Sequence, residues 1–426
     1  MTPGPRIPTA EIRETSGTST LPVAMPEKSH LRSILVEEAL RVCLSQYGNG
    51  LRAIVLTGSL ARNEATFVRE ANHWRMQGDA DLFLVHKENV APLSDAALQS
   101  LAADIEAGLA ARQIHVHMGL ASVPPQYLRR LVPRISTYEL LACGQVLWGD
   151  AQVLSLIPSF KIAEIPREDA WQMLCNRFIE FLEHAAEISS ATKEISPSLH
   201  YATVKLFLDT ATSYLVFADS YEPTFQSRAQ RLRDLANDPR ANAAAPFPLK
   251  DFSDRVSVST DWKLSGRSED RNTHTAYCEE AMSYARRLWR WELERLTGAA
   301  PGLHNACLWI RCAQQQSALQ RSRGWLSVVR RRGWHQGWRY WPRWLRLSLR
   351  ATPRFWIYRA AGELLWRPPR FVEQTNEPLP RDGVWEQLRS FLPELAPNTL
   401  QGEQPWQQAA RDVVWNYKEF LIGTDA

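Results

Sequence analysis

The fold is decided by two nearby stretches, IVLTGSLARNE (54–64) and GDADLFLV (78–85). Leu51–Thr57 is a short, apolar, β-rich run that predicts a buried strand ending at Gly58-Ser59. Asp81–His86 predicts a second strand, and Gln113–Leu120 a third. Ser94–Arg112 between them predicts an amphipathic helix with Ser94 as its N-cap. Upstream, Leu31, Ile34, Leu35, Ala39, Val42 and Cys43 form a helical stripe over 30–48, ended by Gly48-Asn49-Gly50. The order helix, strand, turn, strand, helix, strand describes a small α/β unit.

Two features of this unit carry chemistry. A helix beginning at Gly58-Ser59 turns free backbone N–H groups outward, which suits a phosphate. Gly58 permits close backbone approach, the Ser59 hydroxyl adds a donor, and Arg62, one turn on, is spaced for a bidentate phosphate contact. Asp79 and Asp81, two apart on a strand, project from one face. Carboxylates so close repel unless a cation lies between them, and hard oxygen ligands favour Mg²⁺ or Mn²⁺.

Together these motifs resemble the DNA polymerase β-like nucleotidyltransferase superfamily, marked by h-h-G-S-x-A-R…D-x-D-h-h-h. Here the pattern stands as Val55-Leu56-Thr57-Gly58-Ser59-Leu60-Ala61-Arg62 and Asp79-Ala80-Asp81-Leu82-Phe83-Leu84-Val85, covering roughly the first third of the chain. The resemblance implies that Gly58 and Ser59 bind a nucleoside triphosphate and that Asp79 and Asp81 are catalytic metal ligands. It also implies transfer of a nucleoside monophosphate to a hydroxyl of a small-molecule, glycan or protein acceptor. Tyr201-x3-Lys205-x3-Asp209, followed by Tyr221 and Arg228, resembles the helical domain of small-substrate nucleotidyltransferases, where a lysine reaches the nucleotide phosphates. An internal Lys205–Asp209 pair at i,i+4 is the alternative.

The sequence departs from that family in two places. Nineteen residues, Leu60 to Gly78, separate Gly-Ser from the first aspartate, so Arg69–Arg75 reads as an inserted loop, a lid or a substrate contact. The third strand, Gln113-Ile-His-Val-His-Met118, holds no acid where the family places its third carboxylate. His117, with His115 on the same face, is the candidate to fill that catalytic place, and Glu139 is a further one from outside the strand. A catalytically impaired nucleotide-binding or regulatory protein is the alternative function.

The rest of the chain predicts helices. Residues 167–297 turn mostly helical, TVKLFLDTATSYLVF is apolar nearly all round, 237–248 reads as a loop, and Pro405–Ile422 is a last amphipathic helix. The fold class expected is α+β: a small mixed-sheet nucleotidyltransferase core followed by a helical-bundle domain and a basic Arg/Trp-rich helical segment. The expected divisions are a leader over 1–29, the core over 30–150, the helical domain over 151–300, the basic segment over 301–372, and a linker with the C-terminal helix over 373–426.

Charge is unevenly spread. Residues 301–372 hold 14 arginines, no lysine and one acid, Glu363, which is +13 against +4 for the whole chain, so the remainder carries about −9. Arg339, Arg343, Arg346 and Arg350 step as one helical stripe, with Trp338, Trp341 and Leu345 on another face. An anionic membrane surface met through 321–370 and an intramolecular wrap on the acidic body are equal readings, with nucleic acid ranked below both. The first 30 residues lack a secretory apolar stretch, no run of 18 apolar residues occurs, and the six cysteines show no zinc-ligand spacing. A cytoplasmic protein, peripheral at the inner membrane face if the basic segment binds there, is the expectation.

Overall fold

A computed structural model describes residues 25–186, 195–266, 274–333, 338–367, 383–397 and 404–421. The architecture is α+β, as the sequence predicts. In chain order the core comprises α1 (Met25–Tyr47), β1 (Leu51–Thr57), α2 (Gly58–Ala61), β2 (Thr66–Glu70), β3 (His73–His86), α3 (Asp95–Ala110), β4 (Ile114–Val123), α4 (Pro125–Arg129), α5 (Ile135–Cys143) and β5 (Gln145–Gly149). Ser94 caps α3 as expected, its Oγ accepting from the Ala97 N–H at 3.3 Å. The leader expected over 1–29 lies outside the described residues as far as 24, and α1 begins at Met25.

The sheet is mixed, and β3 is its spine. The first half of β3 pairs antiparallel with β2 and the second half antiparallel with β1, while β4 runs parallel along the opposite edge. The segment expected as an inserted loop, Arg69–Arg75, is instead a tight hairpin: Glu70 pairs with His73, and Ala71 takes a φ of 48°. The long spacing between Gly-Ser and the aspartates is therefore filled by paired strand. A second difference is β5, a strand the sequence pattern does not mark, which pairs antiparallel with β1.

Strand alternation sorts the side chains. Ile54, Leu56, Ala80, Leu82 and Leu84 pack on one face against Leu35, Leu101, Ile105 and Leu109 of α1 and α3. Ala53, Val55, Val85 and Val123 pack on the other against Leu128, Leu140 and Val153. Asp79 and Asp81 belong by parity to this second face.

The helices that follow are α6 (Arg167–Ala185), α7 (Pro197–Phe217), α8 (Phe225–Ala236), α9 (Pro239–Ala244), α10 (Leu249–Ser265), α11 (His274–Thr297), α12 (Asn305–Gln314), α13 (Ala318–Arg332), α14 (Trp341–Ser348), α15 (Pro353–Trp366), α16 (Gly383–Phe391) and α17 (Pro405–Phe420). The loop expected over 237–248 contains α9, a short helix started by Pro239 after the Asp238 cap. α7 is buried along nearly its whole length, as an all-round apolar helix must be. One hydrophobic core runs from Ile135 to Leu421 and takes in Phe178, Phe207, Trp289, Trp309, Trp356 and Val413. No described helix is long and apolar enough to cross a membrane.

The single Arg stripe is not formed. Pro342 sits in the first turn of α14, Arg339 lies in the preceding 3-10 turn, and Arg343 is half-buried, donating to the Arg389 carbonyl. Trp325 and Trp344 are buried with their indole N–H groups donating to the Ala351 and Pro393 carbonyls at 2.8 and 3.2 Å. Arg332 is paired with Glu394 at 2.6 Å and Glu419 at 3.2 Å. The Trp338 side chain and most of the Pro-rich linker lie outside the described residues.

Within the helical core, Glu292 is fully buried. Its Oε1 accepts from the Ser213 hydroxyl at 2.6 Å, and its Oε2 has no partner among the described residues. Burial pushes its carboxyl up to about 8. A carboxyl raised on folding binds its proton more tightly in the native state, so stability falls as pH rises from the ordinary carboxylate range to about 8. Glu292→Gln is expected to remove that slope and to gain on the order of 3 kcal/mol over the parent between pH 5 and pH 8. Urea melts at a series of pH values test this, and parallel pH profiles for the two proteins would refute it.

Candidate active site at the strand ends

Register brings the two motifs together. Thr57, the last residue of β1, is the partner of Asp81, so Gly58 emerges against the Asp81 carboxylate. On the other edge Asp79 faces His117 and Asp81 faces Gly119. A Cβ added to Gly58 would lie 2.4 Å from Asp81 Oδ2, and one added to Gly119 2.4 Å from Asp81 Oδ1. The carboxylate thus sits between two glycines, and Gly58 also needs its positive φ of 69°.

Neither aspartate accepts a hydrogen bond among the described residues, so neither is neutralised by a donor. Burial, then the Asp79 charge, pushes Asp81 up to about 7, while Arg62 and Lys205 oppose this. Asp79 is also raised, chiefly by burial, with Glu180 and Glu106 adding to the rise and His117 and Lys205 working against it. The donor set is two adjoining hard-oxygen ligands that accept no hydrogen bond among the described residues, which suits Mg²⁺ or Mn²⁺. Among the described residues no group of three or more His, Cys, Asp or Glu side chains is placed to hold a metal ion. A cation here would take its remaining ligands from water or substrate oxygens, the habit of Mg²⁺.

His117 stands next to this pair. Its Nδ1 lies 3.1 Å from Glu106 Oε1, the same atom that accepts from the Met118 N–H at 2.8 Å. Its Nε2 is buried without a partner among the described residues. An Nδ1–H donated to Glu106 fixes the tautomer and leaves the Nε2 lone pair available. His115 is not brought to the pair; it lies exposed opposite Arg75, its ring 4.6 Å from that of His73.

The helical region approaches from the other side. The Tyr201 hydroxyl of α7 donates to the Gln77 carbonyl at 3.3 Å, beside Gly78 and Asp79. One turn on, Lys205 places its Nζ 5.6 Å from the Tyr201 ring centroid and is felt by both aspartates. The i,i+4 pair with Asp209 is not made, because Asp209 takes Arg177 of α6. Lys263 of α10 is buried between Thr66 Oγ1 at 3.0 Å and Tyr201 Oη at 3.2 Å, and burial lowers it to about 7.

Three further candidates sit in surroundings that the sequence does not disclose. α2 is a single turn of four residues, too short for a helix dipole to hold an anion, so what it places against the pair is the Gly58 backbone, with Ser59 half-buried beside it in sequence. Arg62 is held by Glu64 at 3.0 Å and Glu139 at 2.6 Å, in place of the phosphate contact its spacing suggested. Glu139 also accepts from the Tyr221 hydroxyl at 2.7 Å and from Arg228, so it is a structural bridge and not an available ligand. Sequence reasoning missed Gly119 and Glu106. Gly119 was detectable only as the parallel partner of Asp81, and Glu106 carries no local signal on its helix.

Gly119→Ala tests the clamp, since the new methyl would push the Asp81 carboxylate aside. Displacing a reacting group by about 1 Å costs on the order of a hundredfold in rate. The expected result is that loss in turnover together with loss of the Mn²⁺-induced rise in melting temperature, read by calorimetry.

No protein-family model matches the chain, and comparison with curated proteins finds no match. Among solved structures the chain is similar to spectinomycin adenyltransferase from Enterococcus faecialis, determined with ATP and spectinomycin, at 12% identity and a TM-score of 0.35 over 60% of this chain and 98% of that one.

Proposed function

We propose that the chain is a metal-dependent nucleotidyltransferase that moves a nucleoside monophosphate from a nucleoside triphosphate to a hydroxyl of an acceptor. The observation that carries this reading is the half-buried Asp79–Asp81 pair, without hydrogen-bond donors among the described residues, with Asp81 clamped between Gly58 and Gly119. A structural role for two such carboxylates would call for hydrogen-bond donors, and the described residues provide none. Asp79 and Asp81 would hold Mg²⁺ or Mn²⁺, which when bound neutralises phosphate charge and steadies the leaving pyrophosphate.

This chain's own groups complete the reaction. The Gly58-Ser59 turn and the Lys205 ammonium orient the triphosphate tail. The acceptor oxygen forms a bond to the α-phosphorus as the bond to the bridging oxygen breaks and pyrophosphate leaves. The acceptor proton passes to His117 Nε2, with Glu106 stabilising the imidazolium that results. Small molecules, glycans and proteins all present suitable hydroxyls.

The absence of an acid on β4 favours a second reading, nucleotide binding without turnover. Titration calorimetry with each of the four nucleoside triphosphates and Mn²⁺, paired with a pyrophosphate assay over an acceptor panel, separates the two. Binding with pyrophosphate release supports transfer. Binding alone supports the second reading, and no binding removes both.

A further inference from the structure

The Arg/Trp segment divides its side chains in a way the sequence does not disclose. Its tryptophans Trp309, Trp325, Trp344 and Trp356 point into the core, while several of its leucines and arginines, with Trp341, face water. On α14, Trp344 and Leu347 are buried while Trp341, Leu345 and Leu349, spaced by four, are exposed. Leu345 is 67% exposed and Leu349 72%, the highest among the exposed large hydrophobics of the described residues. Arg346 and Arg350 follow these leucines directly in sequence and are exposed as well. α13 repeats the pattern: Trp325 and Val328 are buried, while Leu319, Arg323, Leu326 and Arg330 face outward. None of these four arginines has a carboxylate partner among the described residues.

From this we infer that the outer faces of α13 and α14 form a docking surface for an anionic phospholipid bilayer, with the leucines and Trp341 entering the acyl boundary and the arginines meeting headgroup phosphates. Scattered exposed leucines are ordinary on a protein surface, but here they recur at helical spacing beside unneutralised guanidinium groups. Hydrophobic insertion and phosphate attraction are the two contributions that interfacial helices combine. Nucleic acid would also attract the arginines. Its bases, however, are bound by stacking on aromatic rings, and four tryptophans of this segment are turned inward, leaving leucines with Trp341 beside the charges. The inference is independent of the nucleotide reading, because no residue of the strand-end site takes part.

The test is flotation of the full chain with vesicles of phosphatidylcholine alone and with about one third phosphatidylglycerol. The parent is expected to float only with the anionic vesicles. Leu345→Gln with Leu349→Gln, and separately Arg346→Gln with Arg350→Gln, are each expected to weaken partition at least about tenfold. All four side chains are exposed, so both variants should match the parent in urea midpoint. Failure of the parent to float overturns the proposal, as does undiminished flotation of the leucine variant. Retention on single-stranded RNA without flotation overturns it in favour of nucleic acid.

Discussion

Asp81→Asn is expected to stop nucleotide transfer while making the metal-free protein more stable. The two effects share one cause. Asp81 lies in poor solvent beside Asp79 and has no donor among the described residues, so its ionised form is disfavoured and its carboxyl rises to about 7. Because the folded protein holds that proton more tightly than the unfolded chain, native stability falls as pH climbs from the normal carboxylate range to about 7. Asparagine is nearly the same shape and stays neutral. At pH 8 the variant should gain about 2 kcal/mol in the absence of divalent ions. Its turnover should fall by at least about a thousandfold, since one of two charged oxygen ligands is lost. Mn²⁺ should raise the melting temperature of the parent and leave the variant unchanged. A variant that turns over normally, or that melts below the parent at pH 8, would remove the case for a cation site.

The second large effect concerns stability alone. Arg228 is buried, and its guanidinium donates to Glu139, to the Tyr221 hydroxyl at 2.6 Å, to Thr212 Oγ1 at 2.9 Å and to the Glu222 and Pro223 carbonyls at 2.7 and 3.0 Å. Arg228→Ala leaves those acceptors without the arginine donor and Glu139 with Arg62 and the Tyr221 hydroxyl. Breaking a buried pair from one side costs roughly 3–5 kcal/mol, and that is the loss expected in the urea midpoint. Arg228→Lys keeps the charge but not the planar fork, and should recover only part of it. A cost for alanine below about 1 kcal/mol would show the bridge to be dispensable.

How much of this was legible depends on range. β1, α3 and its Ser94 cap, and α7 follow from local pattern, and the structure agrees with each. The β2–β3 hairpin escaped because it turns at Ala71-Asn72 and not at the Asn-Gly or Asp-Gly that marks such turns. β5 escaped because five residues beside glycines give too short a pattern. Arg62 and Lys205 show the deeper limit. Spacing placed both sensibly, but Glu139 lies 77 residues from Arg62, and the Arg177 that takes Asp209 lies on another helix. Partners chosen by tertiary packing leave no trace in a helical or strand period. The tryptophans of the basic segment fail for the same reason: the periodicity marked two faces without saying which one looks inward.

The bridge of Glu64, Arg62, Glu139 and Arg228 has a consequence for access. Glu64 also accepts from the Phe225 N–H at 2.6 Å at the start of α8, so the sheet and the helices are riveted where they meet. Swinging them apart would strand several charges in an apolar seam, a motion far dearer than thermal agitation supplies. Sheet and helices are then expected to move as one unit about this bridge, so that a ligand of Asp79 and Asp81 would be met by side chains already in place rather than by parts that hinge together around it.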